Sequence, residues 1–335
     1  METTAPHNRT SRNPGKNHDG KSTWIAIIME ENEWFDNLSR AIQKSSLQNP
    51  EVNIVYVNPE IIDAIGIKKF SGIVLPGAAD NYPEDLDSFT LEDMPEEDRT
   101  STERNYQKIY ERAREFNIPT FGVCAGAQHL ALHRGAFLTK STTESKSTEL
   151  APHHVPHFLS LTPEERKAVL ETCDAETVNL EEIYRAHSYA ALSETLESNG
   201  LTLAASDDET PLAFYEGFEA LATQFHPEVA YDNSFIGWLL NTDSAQRQTN
   251  LIDGFVELCQ GYRDWINWAQ SEGYSQSEAI AMRKAELQII LDRLEECRDN
   301  ESAQPMSWTG SVTLDQKKEF ADVSWFNYLK RFLNY

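Results

Sequence analysis

Residues 118–128 read Ile-Pro-Thr-Phe-Gly-Val-Cys-Ala-Gly-Ala-Gln, an apolar run that changes into a helical pattern at a cysteine. Ile118 to Val123 has the apolar content of a buried strand, and Ala127, Leu130, Ala131 and Leu132 supply an apolar face for the helix that follows. Gly122 and Gly126 flank Cys124. Small residues on both sides let the chain reverse sharply, so the spacing predicts a strained elbow with Cys124 at its tip, like the Gly-x-Ser-x-Gly elbow of hydrolases. The positive end of a helix dipole at such a point favours a thiolate. A buried structural cysteine would explain the residue alone equally well.

A base with the right companions decides between the two. About a hundred residues downstream, Leu221-Ala222-Thr223-Gln224-Phe225-His226-Pro227-Glu228 reads as a short strand ending in His-Pro-Glu. His226 can accept the thiol proton, and Glu228 can hold the imidazole in one tautomer if the two side chains share a face of an extended chain. Pro227 lacks a backbone donor and should end the strand there.

These stretches carry a resemblance. Gly-Val-Cys-Ala-Gly-Ala-Gln at 122–128 has the form Gly-x-Cys-x-Gly-x-Gln, and together with His226-Pro227-Glu228 it resembles the class I glutamine amidotransferase-like superfamily. Within it, the chain is most similar to the gamma-glutamyl hydrolase branch, which includes gamma-glutamyl-gamma-aminobutyrate hydrolases. Gly72-Ile73-Val74-Leu75-Pro76-Gly77-Ala78-Ala79-Asp80 resembles the strand and Pro-Gly-Gly oxyanion loop of that family, and the likeness spans about residues 23–240. It implies Cys124 as nucleophile, His226 as general base and acid, and Glu228 as the orienting carboxylate. It also implies an oxyanion hole from the backbone N–H of Ala125 and of Gly77 or Ala78. Gln128 matches the motif glutamine and is either a substrate contact or a polar residue on the exposed side of the first helical turn.

Three departures bear on substrate more than on chemistry. Ala78 stands where a second glycine is common, so a positive φ there would be strained. Arg185-Ala186-His187-Ser188-Tyr189-Ala190 replaces an Asn-Ser-x-His-His-Gln segment, leaving His187 and Ser188 as candidate substrate contacts. Ala125 stands where the branch often carries a larger side chain.

Composition narrows the rest. Among 335 residues, 54 Asp and Glu against 29 Lys and Arg give a net charge of −25, which argues against nucleic-acid or anionic membrane partners. Cys124, Cys173, Cys259 and Cys297 lie far apart, neither a zinc frame nor a disulfide scaffold. No run approaches a membrane span, and a cytoplasmic enzyme is expected, with leaderless secretion into a host cytosol left open. His129 and His133 stand four apart and His153, His154 and His157 cluster, but no third ligand accompanies the first pair, so no metal or cofactor is expected.

The expected fold class is α/β, a mostly parallel sheet flanked by helices, flavodoxin-like, with a C-terminal helical appendage. Residues 1–22 read as a disordered tail, 23–240 as the amidotransferase-like hydrolase domain and 241–335 as a helical extension. Expected strands cover Trp24–Met29, Val52–Val57 and Phe70–Leu75, with a helix over Trp34–Ile42 and further strands within 201–226. In the extension, Leu287, Ile290, Leu291 and Leu294 recur at helical spacing, and Trp265, Trp268, Trp308, Trp325 and Phe326 add apolar area for packing on the core, for a homodimer or for a protein partner. Between Asp80 and Glu103, ten acidic residues face one basic residue, Arg99, which reads as a lid steering cationic substrates or as a solvated loop. The expected activity is hydrolysis of small gamma-glutamyl amides through a thioester. A glutaminase component feeding ammonia to a separate synthetase, or a noncatalytic interaction protein on the same fold, are the alternatives.

Overall fold

Thr-Trp-Ile-Ala-Ile-Ile at 23–28 is apolar on both faces of an extended chain, and it forms β1 (Thr23–Ile28), buried along its whole length. The structure, a computed structural model, describes residues 22–28, 38–42, 52–59, 62, 66–77, 82, 86–94, 101–140, 189–207, 210–217, 220–228 and 242–285. β1 pairs in parallel with β2 (Val52–Val57) on one side and β3 (Gly72–Leu75) on the other. The small strand β4 (Ser88–Phe89) lies outside this sheet, and β5 (Thr120–Val123) continues it beside β3. After β6 (Leu138–Lys140) and β7 (Tyr189–Ala191) come β8 (Thr202–Asp207), β9 (Thr210–Glu216) and β10 (Ala220–Thr223). The seven-stranded order is β2-β1-β3-β5-β10-β9-β8. It is parallel from β2 to β10 and antiparallel at β9 and β8, so the expected mostly parallel sheet is found.

Period-two alternation assigns each β1 side chain to one of two cores. Ile25 and Ile27 join Val74, Phe121 and helical residues Leu38, Ala41 and Ile42 on one face. Trp24, Ala26 and Ile28 join residues of α1 (Ser101–Glu115) and α2 (Ala125–His133) on the other. Tyr106, Ile109 and Ala113 come from α1, and Ala127, Leu130 and Ala131 from α2. A short helix, α3 (Ser193–Ser198), precedes β8.

Several expected boundaries shift for local reasons. β5 begins at Thr120 because Pro119 has no N–H to give a ladder, although its carbonyl still accepts from Ile73 N at 2.9 Å. β3 begins at Gly72 because Phe70 closes a 3-10 turn over Ile67–Lys69. β2 has the expected bounds, residues 34–37 and Met29 lie outside the described residues, and β8, β9 and β10 form successive antiparallel hairpins within 201–226.

The acidic segment 80–103 is more than a loop where it is described. Phe89 and Met94 are buried in the core, and Ser88–Phe89 pairs with β6, which pairs in turn with β7, giving a separate antiparallel sheet in the order β4-β6-β7. Asp93 accepts bonds from the N–H and hydroxyl of Thr90, and Asp87 lies 3.7 Å from Lys140 Nζ. Glu96, Glu97 and Asp98 lie outside the described residues.

The helical expectation for the C-terminal part holds for α4 (Thr242–Ser271), which continues after a turn into α5 over 276–285. α4 packs on the core. Leu251, Ile252, Phe255, Val256 and Cys259 join the Ile25 face, whereas Tyr262, Trp265 and Ile266 join the opposite one. Trp265 Nε1 donates to Ala279 O at 2.8 Å, tying α4 to α5. Leu287, Ile290, Leu291, Leu294, Trp308, Trp325 and Phe326 lie outside the described residues.

Candidate active site

β3, β5 and β10 lie side by side and end level with one another, Leu75 opposite Gly122 and Thr223 opposite Val123. The chain segments leaving their carboxyl ends therefore meet, which is where open α/β sheets place their sites. Those segments begin with Pro76-Gly77, Cys124 and Gln224-Phe225-His226.

Cys124 takes φ 53° and ψ −110°, a left-handed conformation unusual for a side-chain-bearing residue and worth about 1–3 kcal/mol of strain. Two backbone bonds hold it. Cys124 N donates to Thr223 O at 2.8 Å, and Gln128 N donates to Cys124 O at 3.0 Å, which makes the cysteine the N-cap of α2. The flanking glycines act through close approach, since neither has a positive φ. A Cβ at Gly126 would lie 2.0 Å from the Leu75 carbonyl oxygen, and one at Gly122 would lie 2.8 Å from Gly126 O. The elbow thus forms with α2 seated directly on β3.

β10 stops at Thr223, three residues before His226, so Glu228 does not reach the imidazole by strand alternation as expected. Pro227 and Glu228 enter a 3-10 turn, compatible with the fixed φ of proline, and the turn brings Glu228 Oε1 to 2.8 Å from His226 Nδ1. With Nδ1 engaged, Nε2 is left for the thiol. Burial by itself lowers the histidine's titration, but the Glu228 charge and then the charge of, and hydrogen bond with, Cys124 outweigh it and hold His226 well above its ordinary value of 6.5. A carboxylate 2.8 Å away is ample for that direction. Gly77 lies against both partners, because a Cβ there would be 3.3 Å from Cys124 Cβ and 3.3 Å from His226 Cε1.

The structure therefore brings together Cys124, His226, Glu228, Gly77 and Ala125, all expected from sequence. Ala78, His187 and Ser188 lie outside the described residues. Gln128 is not on an exposed helix face. It is wholly buried, Tyr82 OH donates to its Oε1 at 2.9 Å, and its Nε2 donates to Tyr189 O at 2.6 Å and faces Gln224 Oε1 at 3.5 Å. Sequence reading missed Gln224, whose Nε2 points to Cys124 Sγ at 3.9 Å. Its signal was adjacency to His226 within one motif, but its partners are about 100 residues away.

The His129 and His133 rings stack at 5.9 Å, and His129 is buried, which pushes its titration down to about 4. Among the described residues, no group of three or more His, Cys, Asp or Glu side chains could hold a metal ion, and no helix is long and apolar enough to cross a membrane. His153, His154 and His157 lie outside the described residues, as do Cys173 and Cys297.

A thiol at a strained elbow, an imidazole beside it and a carboxylate on the imidazole make an arrangement chemically capable of cleaving an amide through a thioester. The chain belongs to the class-I glutamine amidotransferase family, whose model matches residues 33–234, and its chemistry is accordingly cleavage of carbon–nitrogen amide bonds. It is 26% identical over 207 residues to a glutamine-hydrolyzing GMP synthase subunit of Thermoplasma acidophilum, covering 62% of this chain and 80% of that protein. The protein of the same description from Thermoplasma volcanium is 25% identical over 241 residues, 72% of this chain and 94% of that one. A crystal structure of a GMP synthase subunit from Thermoplasma acidophilum is similar with a TM-score of 0.44 at 22% identity, covering 72% of this chain and 96% of that one.

Proposed function

We propose that this chain is the glutaminase component of a two-part amidotransferase, releasing ammonia from glutamine for a separate synthetase subunit. The observation that carries the reading is the alignment of Cys124, His226 and Glu228 beside Gly77 at the carboxyl edge of the sheet. In this mechanism His226 takes the proton of the Cys124 thiol, and the sulfur forms a bond to the side-chain amide carbon while the carbonyl π electrons move to oxygen. Backbone N–H groups of Ala125 and of Gly77 or Ala78 hold that oxyanion, each worth about 3–4 kcal/mol. Collapse breaks the C–N bond, and ammonia departs with a proton from His226. Water then attacks the thioester as His226 takes its proton, and collapse breaks the C–S bond, giving glutamate and a thiolate to which His226 returns the proton. Glu228 keeps the imidazole oriented and stabilises its cation.

The two Thermoplasma relatives, both described as subunits of a glutamine-hydrolyzing GMP synthase, support the ammonia-donating reading over a stand-alone hydrolase of substituted gamma-glutamyl amides. The test is release of ammonia and glutamate from glutamine, beside a panel of N-substituted gamma-glutamyl amides, with Cys124→Ala as control. Thiol-dependent turnover favouring glutamine is expected. Preference for the substituted amides would move the reading to the gamma-glutamyl hydrolase branch, and no Cys124-dependent turnover of either would leave a noncatalytic protein.

A further inference from the structure

A buried side-chain amide beside a nucleophile is costly unless its donors and acceptor are used, and Gln224 is 2% exposed. Its neighbours fix which way it points. Tyr189 O, a backbone carbonyl, can only accept, so the group 2.6 Å from it must be the nitrogen of Gln128. Tyr82 OH, 2.9 Å from the other end of that amide, accordingly donates to Gln128 Oε1. The second N–H of Gln128 is then left to face Gln224 Oε1 at 3.5 Å, and this turns Gln224 Nε2 toward Cys124 Sγ at 3.9 Å. The order of donors runs one way, from Tyr82 through Gln128 and Gln224 to sulfur.

We infer that Gln224 is a positioning residue for the nucleophile, its amide N–H held against Cys124 Sγ by Gln128, Tyr82 and the Tyr189 carbonyl so that it favours the thiolate and fixes its direction. A thiolate accepts a hydrogen bond far better than a thiol, so a donor locked at this place stabilises one protonation state more than the other. The anchors of the relay come from the small sheet. The Tyr82 ring lies tilted against Phe89 of β4 at 5.3 Å and packs edge-on to Tyr189 of β7 at 5.2 Å. The three-stranded sheet thereby acquires a task, which is to hold the far end of the relay still. Gln128, the residue the sequence motif offers as a substrate contact, serves here as the link that orients Gln224.

The inference rests on Cys124 being the nucleophile, and the experiment separates the two. The rate of Cys124 alkylation by iodoacetamide is measured from pH 5 to 10 by peptide mass spectrometry in the full chain, for wild type, Gln224→Met and Tyr82→Phe. Loss of the donor in Gln224→Met should slow alkylation at pH 7 about tenfold, with the profile displaced to higher pH and the high-pH rate retained. Tyr82→Phe removes one hydroxyl at the far end of the relay and should shift the profile the same way, by roughly twofold to threefold in the pH 7 rate. Glutamine turnover should lose kcat with little change in KM in both variants. A Gln224→Met profile superimposable on wild type overturns the relay. If Gln224→Met does not fold, an unchanged Tyr82→Phe profile overturns it equally. A Cys124→Ala protein that still releases ammonia from glutamine would instead sink the nucleophile reading, whatever the alkylation profiles show.

Discussion

His226 and His129 respond to burial in opposite company, and each makes a prediction. His226 has a carboxylate 2.8 Å from Nδ1, and its proton is held more tightly in the folded protein than in the unfolded chain. Its contribution to stability is therefore complete below about pH 6.5 and is lost as pH rises through the higher midpoint of His226 itself. Proton NMR of the His226 ring should give a midpoint above 6.5, and Glu228→Gln should lower it because the charge is gone while an acceptor remains. A midpoint that does not move would remove Glu228 as the cause. His129 has burial and no compensating charge, which sets it at about 4. The unfolded chain takes up this proton between about pH 6.5 and 4 whereas the folded protein does not, so stability falls as pH drops through that window, by about 3 kcal/mol. Denaturant unfolding at pH 7 and at pH 4.5 should show a smaller acid loss in His129→Leu than in wild type. Equal losses in the two proteins would mean that His129 is protonated in the fold.

At the scale of elements, the elbow depends on how closely α2 approaches β3. Gly126→Ala would drive a Cβ onto the Leu75 backbone carbonyl, at 2.0 Å, and no rotamer change relieves a clash with backbone. The expected cost is at the upper end for overpacking, about 3 kcal/mol, with slower alkylation of Cys124. Gly66→Ala is the contrast, since nothing lies within 4 Å there and only its φ of 85° is strained, for about 1 kcal/mol. Equal denaturation midpoints for the two variants would refute the close-packing account of the elbow. This geometry was legible in the sequence because Gly122, Cys124 and Gly126 stand within five residues between an apolar strand and an apolar helix face. β1, β2 and β3 were legible for the same reason, as apolar runs buried on one or both sides. β4, β6 and β7 were not, because strands of two or three residues carry no readable alternation and exist only through their pairing. Glu228 was identified by residue, but by the wrong geometry, a turn in place of a strand. The Gln224 and Gln128 pair is 96 residues apart in sequence, so its meaning arises only in the folded chain.

At the scale of the whole molecule, the question is how far α4 belongs to the sheet it covers. Ile252, Phe255, Val256 and Cys259 pack with Ile25, Ile27, Val74 and Phe121, and the Phe121 and Phe255 rings lie 5.4 Å apart. The side chain of β3 facing Cys259 is absent because residue 72 is glycine, and a Cβ there would sit 2.2 Å from Cys259 Sγ and 3.2 Å from Phe255 Cζ. Burial of each large side chain is worth about 1.5–3 kcal/mol, against a total stability of about 5–15 kcal/mol for a folded domain. A chain ending at residue 240 should accordingly be insoluble or unfolded, although the family match ends at 234. Insolubility has many causes, so a sharper measurement is a double-mutant cycle in the full chain. Gly72→Ala should destabilise by about 1–3 kcal/mol through the contact with Cys259. Cys259→Ala removes the sulfur and loses packing of its own, but in the double variant the 2.2 Å collision is gone, leaving contacts of 3.3 Å to the Cβ at position 259 and 3.2 Å to Phe255 Cζ. The double variant should therefore be more stable than the sum of the single losses by about 1–2 kcal/mol. Strict additivity would mean that α4 and β3 are not in contact at this point, and the helix would then be an appendage to the fold.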